Sequence, residues 1–272
     1  MAHMGNTEGR STQEPLRHRL SPGIPPEQLV TAFLAVLVLA VWEWGSRTGR
    51  ISTLFFPPPS ATVRALRRLL STGRLGENLG ATLYRVFVGF GLGAAPGLVL
   101  GLVSGWSRQL RAVVDPFIAA AHPIPKVAIL PLVMIILGIG ESSKLAVVAI
   151  ACFFPMLINA MAAVREIPPI YFEVAENYGA DLRRVFSRVV APATLPLAMS
   201  GVRLSLNTAL VLTLAVELVA AQRGLGAMMW LAWETLRTAD LYATLTVTAI
   251  LGIGFNLIVQ ALERYLIPWH AD

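Results

Sequence analysis

"FEVAENYGADLRRVFSRVVAPATLP", residues 172–196, places Glu173, Glu176, Asp181, Arg183, Arg184 and Arg188 between two long apolar runs. Pro168 and Pro169 stop the run before it, so "IYFEVAENYG" reads as a short helix with its acids in the first turns, where the helix dipole favours anions. Gly179 closes that helix in the C-cap position that glycine fills best. "ADLRRVFSRVVAP" then reads as a second helix, with Leu182, Phe186, Val189 and Val190 on one face, Arg183, Arg184 and Arg188 on the other, and Pro192 leading into the next run. The unit is too polar to sit in lipid and too patterned for a loose linker, so a protruding helical elbow is expected. On residues alone, an ordinary surface helix explains it equally well.

The rest of the chain sets the elbow in context. Of 272 residues, 55% are hydrophobic and 14% charged, with a mean hydropathy of +0.64. Soluble domains carry about 25% charged residues, so this is a membrane protein. The net charge of +6 is what arginines flanking apolar spans produce, and it is no argument for nucleic acid. Cys152 is the single cysteine and no Cys/His cluster has metal-ligand spacing, so no disulfide, metal site or catalytic residue is predicted. Residues 1–27 are polar, without a signal-peptide core, and are expected to be poorly ordered.

Six apolar runs are long enough to cross about 30 Å of hydrocarbon, at roughly 28–46, 82–106, 113–137, 144–164, 194–220 and 241–262. The predicted fold is an all-α integral membrane protein with a first transmembrane helix in 28–56. An amphipathic segment follows at 57–80, then a five-helix core at 81–267 with the elbow at 165–192, and a short tail at 268–272. In the amphipathic segment Ser60 is the expected N-cap of a helix with Val63, Leu66, Leu69 and Leu70 on one side and Arg64, Arg67 and Arg68 on the other, lying along the membrane surface. Lys and Arg fall almost equally on the two sides of the spans, so the positive-inside rule assigns no orientation.

Three further patterns bear on function. Gly89, Gly93, Gly97, Gly101 and Gly105 recur every fourth residue and form a close-packing strip, either within the subunit or between subunits. "HPIPKVAILP" breaks the third run, since Pro123, Pro125 and Pro131 lack N–H groups, and broken helices at membrane depth line a pathway or are buried in protein. His122 and Lys126 flank the break, as pathway residues or as plain helix-end and snorkelling side chains. Arg203 and Glu217 are intramembrane charges about 21 Å apart along one helix, too far to pair with each other. With Asn207 close to Arg203 in sequence, they mark either a pathway or structural ion pairs with other helices.

The elbow also resembles the EAA loop of ABC-importer permeases, in Glu173, Ala175, Gly179, Val189 and Pro192, with Val174 where a second Ala is usual and Ala191 where Leu is usual. "LFFPPPSATV", "TLYRVFVGF", "HPIPKVAILPLVMIILGIGESSK", "FFPMLINA", "AVELVAAQRGLG" and "PWH", in order over about residues 28–270, are similar to the nitrate/sulfonate/taurine-type permeases. Lys126 stands where those relatives more often carry proline or an apolar residue.

The resemblance implies a type I importer fold of six transmembrane helices, working as a homodimer in the bacterial cytoplasmic (inner) membrane with both termini cytoplasmic. Its coupling helix, near 170–179, would dock two cytoplasmic ABC ATPase subunits through Glu173, Ala175, Glu176, Gly179, Ala180 and Pro192. The chain has no phosphate loop, so ATP and magnesium would be bound by the ATPase partner and no cofactor by this chain. An extracytoplasmic binding protein would deliver a small anion such as a sulfonate, taurine or nitrate, with His122, Pro123, Pro125, Lys126, Arg203, Asn207 and Glu217 as the expected pathway. Bicarbonate, a thiamine precursor or an aromatic acid are alternatives within the same family. Two other classes are weaker: a rhomboid-like protease lacks the first glycine before Ser200, and a secondary transporter has no use for the elbow.

Overall fold

The structure is a computed structural model and describes residues 26–268. The polar N-terminal segment before residue 26 and most of the "PWH" tail lie outside the described residues. Eleven α-helices make up the described chain: α1 (Pro26–Arg47), α2 (Pro59–Ser71), α3 (Arg74–Trp106), α4 (Arg108–Ala121), α5 (Leu130–Leu137), α6 (Glu141–Arg165), α7 (Ile170–Asn177), α8 (Leu182–Val185), α9 (Ala191–Ala220), α10 (Leu225–Glu234) and α11 (Thr238–Leu266). Five uninterrupted helical stretches are long and apolar enough to cross a membrane, and the bent pair formed by α4 and residues 126–137 brings the number of candidate spans to six when it is counted as one broken span. No strand occurs among the described residues.

The core is built on α3, α6 and α9. The glycine strip of α3 faces α6 within the same chain. A methyl group on Gly97 or Gly101 would stand 2.6 Å from the carbonyl oxygen of Phe153 or Leu157, and one on Gly105 2.6 Å from Val164 Cβ. The missing side chains let the two backbones touch along four turns, and this close packing replaces the hydrophobic drive that lipid removes between helices. On its other side α6 meets α9 through a reciprocal pair of bonds: Cys152 Sγ donates to the Ser205 carbonyl (3.4 Å) and Ser205 Oγ to the Cys152 carbonyl (3.1 Å). Gly201 extends this contact, lying against Asn159 and Met156.

The third run breaks where its prolines fall. α4 ends at Ala121, residues 126–129 form a single 3-10 turn, and the chain leaves at 86° to its entry.

Two expectations are corrected. Ser60 does not cap α2, which starts at Pro59. The Glu43 carboxylate of α1 reaches across instead, accepting from Ser60 N at 3.0 Å while Arg47 Nε donates to its other oxygen at 2.5 Å. The apolar face of α2 is also rotated: Ala65 and Leu69 are buried against Leu75, Leu225 and Ala243, whereas Val63 and Leu70 point outward. Arg68 belongs to the packed side, since it pairs with Asp240 at the start of α11.

The helix after the elbow is not separated from the fifth span. α8, a π-helical turn at Phe186–Val190 and α9 run on as one 39-residue stretch, Leu182–Ala220. Pro192 falls in the first turn after the π-helical residues. A widened turn relieves the clash between a proline ring and the carbonyl four residues back, so the helix continues where an α-helical turn would have broken.

Candidate functional site

At one end of the bundle stands the elbow. α7 closes in a Schellman motif: Gly179 adopts φ 65°, its N–H donates to the Glu176 carbonyl (2.9 Å), and Ala180 N–H donates to the Ala175 carbonyl (2.9 Å). Asp181 then caps α8, accepting from Arg184 N at 3.1 Å. These bonds fix the reversal between α7 and α8 within a few sequence positions, so the fixed spacing between Ala175 and Gly179 has a backbone cause. Phe172 anchors the unit, packing edge-on against Trp106 at 6.0 Å. Glu173 and Glu176 are exposed, as are Tyr171, Val174 and, at 88% exposure, Tyr178. Ala175 and Ala180 line the shallow groove between α7 and α8 together with Arg184 and Arg188.

The residues expected to form a pathway divide among three places. His122, Lys126 and Asn207 line one cavity of about 610 Å³ between the broken span, α6 and α9, with Pro123 and Pro125 exposed at its edge. Lys126 Nζ donates to the Ala121 carbonyl at 3.1 Å and to the His122 carbonyl, and stands 5.0 Å above the Phe154 ring. Asn207 donates to Asn256 Oδ1 of α11 at 3.3 Å. Arg203 lies elsewhere: it pairs with Glu263 and borders a polar cavity of about 770 Å³ near the elbow, with Glu166, Ser200 and Arg264. Ser200 and His122 therefore line different cavities, and no serine–histidine pair forms between them.

Glu217 is in the third place, fully buried at the end of α9 remote from the elbow. Both its oxygens accept from Thr82 Oγ1 at 3.0 Å, and it accepts from Gly226 N at 2.9 Å and Arg85 Nη1 at 2.6 Å. Arg85 in turn makes a bidentate pair with Glu141 (2.7 and 2.8 Å) and donates to the Arg223 carbonyl at 2.6 Å. Lys144 completes the cluster by donating to Glu141 at 3.0 Å. Gly224 and Gly226 are required beside it, because a side chain at either would meet Glu217. Two cations and two carboxylates thus neutralise each other and tie the third and fourth turns of α3 and the start of α6 to the end of α9 and the loop that follows it.

Arg85, Thr82 and Glu141 belong to no pattern that the sequence analysis singles out as a site. The signal was there: Arg85 interrupts an apolar span and Glu217 is an intramembrane acid, so each needed a partner of opposite sign. Thr82 and Arg85 are three apart and share a helix face.

Comparison with known proteins places these features. Residues 97–271 match the family model described as "Binding-protein-dependent transport system inner membrane component". The chain is 34% identical over 244 residues to the taurine transport system permease protein TauC of Escherichia coli (strain K12), covering 88% of each chain. It is 31% identical to the putative aliphatic sulfonates transport permease protein SsuC of Bacillus subtilis (strain 168), covering 87% of this chain and 86% of that one. The fold is shared with an inward-facing structure of the MetNI methionine ABC transporter, with a TM-score of 0.64 at 20% identity over 72% of this chain and 97% of the other. The chain is a multi-pass membrane protein with the fold of a type I importer, and it belongs to the family of binding-protein-dependent transport system inner membrane components, the permease subunits of ABC importers.

Proposed function

We propose that two copies of this chain form the translocation pathway of an importer for a small sulfonate-like anion. Two cytoplasmic ABC ATPases drive it and an extracytoplasmic binding protein supplies the solute. The observation that carries the reading is the elbow: a backbone-closed, exposed helix pair whose second member continues without interruption into the core helix α9. A partner that seizes Tyr171, Val174 and Tyr178 gains leverage on the spans through that rod. The elbow then faces the cytoplasm, as do both termini, and the Arg85–Glu217 cluster faces outward. The sequence contains no phosphate loop, which supports a separate ATPase as the binder of ATP and magnesium. The solute class is supported by the names of the taurine and sulfonate permeases that the chain resembles.

The test is reconstitution of the chain with its ATPase and binding protein in proteoliposomes. ATP-dependent uptake of taurine or ethanesulfonate is expected, lost when Glu173 and Gly179 are both replaced and ATPase no longer co-purifies. Uptake that persists without any ATPase would overturn the assignment in favour of an ion-gradient carrier. Uptake of bicarbonate or an aromatic acid in place of sulfonates would overturn the solute alone.

A further inference from the structure

We infer that the cavity at the broken span is an anion subsite, with the Lys126 ammonium as its selective group; the inference rests on the importer reading above. Asn207 and Thr208, which line the cavity, lie near the middle of the 30-residue α9, so the cavity sits at mid-membrane depth. His122 is exposed and Lys126, Asn207 and Thr208 are half-buried; polar and charged groups that stay partly accessible at that depth are costly against lipid tails, which favours a solute path beside them. Lys126 and Arg203 differ in how their charge is met. Arg203 is neutralised by Glu263 and stands near the elbow. Among the described residues no carboxylate comes within ion-pair distance of Lys126; its partners are two carbonyls and an aromatic face.

Those partners hold the ammonium without cancelling it. The Ala121 and His122 carbonyls belong to the last turn of α4, whose partial negative charge favours a cation there. Two of the three ammonium protons are used on these carbonyls; beyond them the ammonium meets only the Phe154 ring, and no oxygen acceptor among the described residues takes the third proton. A sulfonate or carboxylate oxygen entering the cavity would complete the coordination and balance the charge, with the Asn207 and Thr208 side chains on the opposite wall. A neutral solute of the same shape would leave the cation unmatched, which is the basis of discrimination.

The chain's two lysines make the test internal, since Lys144 is buried against Glu141 and serves as the control. The permease–ATPase complex, without nucleotide or binding protein, is treated at alkaline pH with a water-soluble amine-acetylating reagent, and modification at each lysine is read by mass spectrometry. Ethanesulfonate at millimolar concentration is expected to slow acetylation of Lys126 at least threefold, while ethyl methyl sulfone, its neutral analogue, has no effect. In proteoliposomes of complexes that retain the ATPase, Lys126→Gln is expected to reduce ethanesulfonate uptake at least tenfold and Lys126→Arg to keep it within threefold. Equal protection by the sulfone, or no protection by the anion, overturns the subsite even where wild-type uptake upholds the importer. Protection of Lys126 in a complex that imports no sulfonate upholds the subsite and removes the proposed solute.

Discussion

Replacing Arg85 with methionine tests whether the buried cluster remote from the elbow behaves as one unit. The substitution keeps much of the side chain's length and removes its charge. Glu217 then retains Thr82 and the Gly226 N–H but loses its cation in a fully buried setting. Breaking a buried pair by removing one partner costs about 3–5 kcal/mol, because the remaining charge is left uncompensated. At about 2–4 °C per kcal/mol for a chain of this size, the unfolding midpoint should fall on the order of 10 °C. Glu217→Gln should cost less, about 1–2 kcal/mol, since Arg85 keeps Glu141 and the Arg223 carbonyl. The combined variant should be more stable than Arg85→Met alone: the neutral amide that replaces the Glu217 carboxylate still accepts from Gly226, and Glu141 keeps Lys144 and its contact with water. Cys152, the single cysteine and fully buried, lets a thiol-reactive fluorophore report unfolding without any added label. Additive losses in the double variant, or a midpoint shift under about 2 °C in Arg85→Met, would refute the account of Glu217 as a charge held by Arg85.

The same assay reads the glycine seam. A methyl group at position 101 would stand 2.6 Å from the Leu157 oxygen and 2.7 Å from Ala160 Cβ, where ordinary contact begins at 3.4 Å. Gly101→Leu should therefore part α3 from α6 and cost about 1–3 kcal/mol or more, whereas Leu at Gly91, with nothing nearby, should be tolerated. At the elbow, Gly179 has open space around it but φ 65°, so Gly179→Val is expected to cost about 1–2 kcal/mol of the elbow's local stability, through backbone strain alone and outside the packed spans. Its effect should appear as weakened ATPase co-purification with an unchanged unfolding midpoint of the spans.

The spans, the elbow and the break in the third run were legible because each is written locally: run length against bilayer thickness, a glycine four residues after an alanine, prolines within a few positions of one another. The partners of the charges were not. Arg203 meets Glu263 sixty residues on, and Glu217 meets Arg85 132 residues earlier, and no periodicity links such positions. Charge balance predicts that partners exist without saying which. The capping of α2 failed for a related reason. A serine after three prolines has the right local form, but a carboxylate arriving from α1 took the amide, and the helix start shifted accordingly. The grouping of His122, Lys126 and Asn207 also depends on how the 86° bend swings the chain back toward α9, an angle that the prolines permit but do not fix.

The π-helical turn before Pro192 aims the elbow. A π-helical turn is an α-helix with one residue too many, so the five residues Phe186–Val190 set the rotation of the elbow about the axis of α9. Deleting Ser187, which is exposed and bonds only within its own turn at 3.4 Å, should let the segment close as α-helix. Everything before it would then turn by about 100° relative to the spans. The proline ring would also meet the carbonyl that the wide turn had moved aside, at a cost of about 3 kcal/mol. Gly179, Asp181 and the α7 face would keep their own bonds yet point elsewhere. The expected result is a permease that inserts and retains its glycine seam but no longer co-purifies with the ATPase, while Ser187→Ala behaves as wild type. A deletion variant that still binds the ATPase and transports would mean that the π-helical turn merely accommodates Pro192 and does not aim the elbow.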